Sequence, residues 1–169
     1  MTTERSDALF EKWRESTEKF DYFVLGVLGA MFAYVSQGYK PEKLGLNPGT
    51  LELAALLTLV LAAVAGFRRI EATNQATLIN QRILHANERR GVMTQVVQRG
   101  PGLNTQIGRT YTPEFATQQI PQINKQIEQL EPQLKITQDR ALYSYKGRNY
   151  LTIVGFLLLL GAKLWTAYT

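Results

Sequence analysis

Residues 51–67 read LELAALLTLVLAAVAGF, an apolar run whose single charge, Glu52, stands at its start. A helix rises ~1.5 Å per residue and the hydrocarbon layer of a bilayer is ~30 Å thick, so a run of this length predicts a membrane-spanning helix. Two other stretches repeat the pattern: Asp21–Tyr39 (DYFVLGVLGAMFAYVSQGY) and Tyr150–Tyr168 (YLTIVGFLLLLGAKLWTAY). Three such segments have no place in a water-soluble chain of 169 residues. The expected fold class is therefore all-α, an integral membrane protein with three transmembrane helices. A cytoplasmic helical hairpin of coiled-coil-like character is expected between spans two and three.

The remaining segments follow from these spans. Residues 1–20 are expected to form an amphipathic interfacial helix, with Leu9, Phe10, Trp13 and Phe20 on one side and Glu11, Lys12, Arg14, Glu15 and Glu18 on the other. Span one covers 21–39, a short external loop 40–50, span two 51–67, the hairpin 68–149, and span three 150–168. The first twenty residues are too charged for a signal-peptide core, so an uncleaved first span is expected.

Orientation is read from lysine and arginine, which concentrate on the cytoplasmic side of membrane proteins. Arg5, Lys12, Arg14 and Lys19 precede span one, and twelve more lie between spans two and three, whereas the loop between spans one and two holds only Lys40 and Lys43. This places the N-terminus and the hairpin inside and the C-terminus outside, in a membrane of the bacterial inner (plasma) type. The net charge of +5 is then mainly an orientation signal. The basic residues are scattered rather than clustered beside aromatics, so no nucleic-acid partner is expected.

Within the spans, small residues recur at four-residue spacing. Gly26, Gly29, Ala30 and Ala33 do so in span one, and Thr58, Ala62 and Gly66 in span two. Such rows let helix backbones approach closely, and these faces are expected to make the helix–helix contacts. Glu52 and Lys163 intrude on the apolar runs at similar depth near the outer boundary. They are the candidates for an intramembrane charge pair.

The polar middle stretch carries two seams. Ala72, Ala76, Ile79, Ile83, Ala86, Met93 and Val97 fall at four/three spacing after span two, interrupted by Arg90. Ile120, Ile123, Ile127, Leu130 and Leu134 do so before span three, with Thr137 in the next slot. Pro121 and Pro132 each remove a backbone donor and are expected to kink or segment the second stem. Gly100-Pro101-Gly102 ends the first stem, and Thr112-Pro113-Glu114 is a helix-start signature. The tip, near 99–111, shows no periodicity. Arg99, Arg109 and Tyr111 are its candidate contacts for a protein partner.

No chemistry-bearing constellation accompanies this architecture. There is no cysteine, and His85 stands alone in HANERR without metal-ligand spacing. Gly108-Arg109-Thr110 lacks the GK[ST] ending of a phosphate loop, and no G-x-S-x-G or H-E-x-x-H occurs. Glu71, Glu88, Glu114, Glu128, Glu131 and Asp139 are dispersed rather than paired. No catalytic residue, cofactor or metal is expected. The sequence reads as a non-enzymatic membrane protein that self-assembles through its spans and hairpin and acts as a scaffold or docking subunit. Its expected partners are the lipid bilayer, further copies of itself and a protein at the hairpin. The alternatives are an oligomeric ion channel or pore gated through the hairpin, and an accessory subunit of a larger complex.

Overall fold

The computed structural model describes residues 2–39, 43–100, 102–104 and 109–168, with side chains described for residues 12, 15–39, 43–100 and 111–168. Three long helices account for nearly all of it: α1 (Thr2–Gly38), α2 (Pro48–Arg99) and α3 (Pro113–Tyr168). A two-stranded antiparallel ribbon, β1 (Gly102–Asn104) with β2 (Arg109–Tyr111), joins α2 to α3 in the register Gly102↔Tyr111. Each helix is long and apolar enough to cross a membrane.

The helix starts follow the local sequence. Asn47 precedes Pro48, and its Oδ1 accepts the backbone N–H of Thr50 at 2.7 Å while its Nδ2 donates to the Lys43 carbonyl at 2.8 Å. This is an asparagine cap with proline in the first helical position, where a missing N–H costs nothing. Thr112 caps α3 in the same manner, its Oγ1 accepting from the Phe115 N–H at 3.4 Å. At the end of α2, Gly100 takes φ of +92°, a left-handed conformation that lets the chain leave the helix without a side-chain clash.

Several details depart from the sequence expectations. No turn separates residues 6–20 from the first apolar run, because α1 continues unbroken from Thr2 to Gly38. The side chains of Leu9, Phe10 and Trp13, and loop residues Lys40, Pro41 and Glu42, lie outside the described residues. Pro121 and Pro132 both sit inside α3, which is not segmented at either of them. A proline deletes a single N–H, and here the packing of the flanking turns outweighs that loss. The tip is not wholly irregular either, since three-residue strands are too short to leave an alternating pattern in the sequence.

The chain divides into two compact units, Met1–Glu71 with Arg140–Thr169, and Ala72–Asp139. In the first, α1, the start of α2 and the end of α3 share a core in which Leu28, Leu59 and Ala62 are buried, with Val24, Ala63 and Leu151 packed against them. Two glycines set how close the helices come. A Cβ on Gly155 would lie 2.9 Å from Leu59 Cδ2 and 3.1 Å from its Cγ, and one on Gly66 would lie 2.6 Å from Leu25 Cδ2.

In the second unit α2 and α3 run antiparallel. Ala86, Met93 and Val96 from α2 interlock with Ala116, Ile123 and Ile127 from α3, and Tyr111 and Ile120 pack on the cluster. Val96, not Val97, takes the last inward position of the α2 seam, and Val97 is exposed. Thr137 is buried in the α3 seam and satisfies its own hydroxyl by donating to the Gln133 carbonyl at 2.7 Å.

These contacts make opposite predictions for two glycines. Gly155→Ala must displace the fully buried Leu59 and is expected to destabilise the protein by about 1–3 kcal/mol. Gly91→Ala meets nothing within 4 Å and is expected to raise stability by up to about 1 kcal/mol through helix propensity. Thermal unfolding of the detergent-solubilised protein, followed by circular dichroism, checks both signs.

Candidate functional site

The most unusual feature of the first unit is a charged cluster at one end of its three-helix core. Asp21 opens the apolar part of α1, Arg69 follows the apolar part of α2, and Arg148 precedes that of α3. Because successive helices alternate in direction, three positions far apart in sequence arrive at the same end.

The geometry is specific. Arg148 Nη1 donates to Asp21 Oδ1 at 2.7 Å, and Arg69 Nε pairs with Asp21 Oδ2 at 2.9 Å. One carboxylate is therefore shared between two guanidinium groups, one oxygen to each. Arg148 and Asp21 are closed to solvent, with side-chain exposures of 0 % and 5 %, and Arg69 keeps 13 %. Arg148 spends its other donors on Asn149, with Nε and Nη2 at 3.1 and 3.0 Å from Oδ1. Tyr145 completes the arrangement, its ring lying 4.1 Å from Arg69 Cζ and 5.4 Å from Arg148 Cζ.

Each element of the site has a local cause. Gly66 stands one turn before Arg69, and a side chain there would lie 3.3 Å from Arg148 Cδ. Its missing Cβ is the room through which the arginine enters. Tyr145, one helical turn before Arg148, presents its ring face to both cations, an arrangement worth about 0.5–2 kcal/mol per contact. With two guanidinium groups and one carboxylate, the cluster carries a net positive charge. Buried like this, each arginine depends on Asp21, since an uncompensated charge in such a place costs several kcal/mol.

The residues singled out from the sequence are distributed as follows. Lys163 Nζ lies 2.7 Å from Glu52 Oε1, with the lysine side chain 59 % exposed and the glutamate 13 %. Ala62 and Gly66 are buried among the helices, and Thr58 is half-buried with its hydroxyl donating to the Ala54 carbonyl at 2.7 Å. Gly26, Gly29, Ala30 and Ala33 are all exposed, and a Cβ on Gly26 or Gly29 would meet nothing within 4 Å. Within the chain α1 packs through its opposite face, where Asp21, Leu28 and Val35 are buried.

In the second unit Ile123 and Ile127 are buried, while Ile120, Leu130 and Leu134 are half-buried. Arg99 is exposed, and Tyr111 is half-buried and stacked on Phe115 with centroids 5.6 Å apart. Tyr111 thus serves the helical pair's own packing. Arg109 falls in β2, with its side chain outside the described residues. Among the described residues no group of three or more His, Asp or Glu side chains converges as a metal site would require.

Sequence reading passed over Asp21, Arg69, Tyr145 and Arg148. Asp21 looked like a boundary residue, and the two arginines were absorbed into the orientation signal. The signal that could have found them was an acid and two arginines each bordering an apolar run at the same end of an alternating bundle. Replacing Tyr145 tests the site's anatomy. Tyr145→Phe keeps the ring face and is expected to change stability by less than about 0.5 kcal/mol, whereas Tyr145→Leu is expected to cost about 1–2 kcal/mol in chemical unfolding. Comparison with known proteins finds no matching family model, no matching curated protein and no matching solved structure.

Proposed function

We propose that this chain is a non-enzymatic three-span membrane protein that self-assembles through its first span and presents its α2–α3 pair as a cytoplasmic, coiled-coil-like docking hairpin. Three helices long and apolar enough to cross a bilayer support the membrane setting. So do exposed tyrosines and a tryptophan at the two ends of the first unit: Tyr22 and Tyr150 at the charged end, and Tyr34, Trp165 and Tyr168 at the other. Amphipathic rings favour the two water–lipid interfaces. The charged end carries Arg68, Arg69, Lys146 and Arg148, which orients it to the cytoplasm.

The observation that carries the self-assembly is the uncovered row Gly26, Gly29, Ala30 and Ala33. Inside a bilayer lipid tails are as apolar as leucine, so helices associate by close packing rather than by escape from water. A small-residue row is the surface on which another backbone can come closest. The chain's own helices pack against the other face of α1 and leave this one open, so a second copy is the natural occupant. The seam of Ile123 and Ile127, by contrast, is engaged within the chain and is not available for the same purpose.

The mass of the protein in mild detergent, with the detergent contribution separated by multi-angle light scattering, tests the reading. A discrete homo-oligomer is expected, reduced to monomer by Gly29→Leu with Ala33→Leu. A wild-type monomer, or an oligomer indifferent to those substitutions, would overturn it.

A further inference from the structure

One flank of the α2–α3 pair is chemically unbalanced. Arg82, His85 and Arg89 stand at i, i+3 and i+7 on α2, and Gln126, Gln129 and Gln133 at the same spacing on α3. The two rows line opposite sides of one depression of about 380 Å³. Packed helix pairs ordinarily set acids against bases on their flanks. Here the arginines face only neutral amides. The one acid beside them, Glu88, lies 3.4 Å from His85 Nδ1. Among the described residues Arg82 and Arg89 make no hydrogen bond or ion pair, and the three glutamine amides are likewise unengaged. Arg90 marks the contrast, since it reaches across to Asn124 Oδ1 at 3.4 Å outside this depression.

We infer that this depression binds a small organic anion carrying two phosphate or carboxylate groups at the ends of a short body. The guanidinium fork matches both kinds of oxyanion. Arg82 and Arg89 are two turns apart, about 10 Å along the helix, which separates the two anionic groups. Between them the floor is Ala86 and Leu130, apolar and shallow, suited to an uncharged middle. The glutamines each offer a donor and an acceptor to polar groups on that body. A partner helix fits poorly, because helix-in-groove docking needs a row of apolar anchors and this floor supplies two residues. The site volume falls in the range that small-molecule sites occupy.

Isothermal titration of the full-length protein in detergent, at fixed ionic strength, tests the inference with three probes. They are fructose 1,6-bisphosphate, octanedioate and inorganic phosphate. At least one of the two-ended probes is expected to bind about ten-fold or more tightly than inorganic phosphate. That advantage should vanish in Arg82→Gln/Arg89→Gln, whose thermal midpoint should match the parent, and survive in Arg68→Gln. Preference between the bisphosphate and the dicarboxylate identifies the oxyanion. Equal binding of all three probes, no binding of either two-ended probe, or an advantage that persists in the double variant would each overturn the assignment.

Discussion

A single buried carboxylate organises the first unit. Through Asp21, α1 addresses both arginines, with one oxygen for Arg69 and the other for Arg148. Directional contacts of this kind fix what apolar packing leaves loose. Leucine and alanine tolerate small rotations and slides of one helix on another, whereas a guanidinium at 2.7 Å from a carboxylate does not. The three helices are therefore held in register at one end by charge and along their length by shape. Gly66 and Gly155 permit that shape by leaving out side chains where Arg148 and Leu59 must fit.

The two units solve different packing problems with the same helices. In the first, the closest contacts are made by glycine and alanine, the residue types that work where both partner and surroundings are apolar. In the second, isoleucine, methionine and valine form the interior and glutamines cover the outside, the pattern of a helix pair in water. The change of composition along α2 and α3 occurs with no break in either helix. Pro121 lies between Ile120 and Ile123, both of which pack in the interior of the second unit.

How much of this could be read beforehand depended on range. Three apolar helices, the Asn47-Pro48 and Thr112-Pro113 starts and the stop at Gly100 are local properties, visible as runs, caps and breakers. The inward positions of α3 are also periodic, and Ile123 and Ile127 followed from spacing alone. The charged cluster was not legible in this way. Asp21 and Arg148 are joined by a hydrogen bond spanning 127 positions, and a composition count treats such residues as boundary charges. Nor could spacing alone show that the chain itself would use the face of α1 opposite its small-residue row. Small residues at 26, 29, 30 and 33 announce a surface fit for close packing without naming the surface's partner.

In the first unit Asp21 and Arg148 depend on each other. A double-mutant cycle with Asp21→Asn, Arg148→Met and the combined variant, read by chemical unfolding in detergent, measures that dependence directly. A coupling energy of about 2 kcal/mol or more is predicted, because Asp21→Asn strands the fully buried Arg148 as well as Arg69, whereas the double change leaves only Arg69 without its carboxylate. Additive effects, with coupling below about 0.5 kcal/mol, would contradict the central role assigned to this pair.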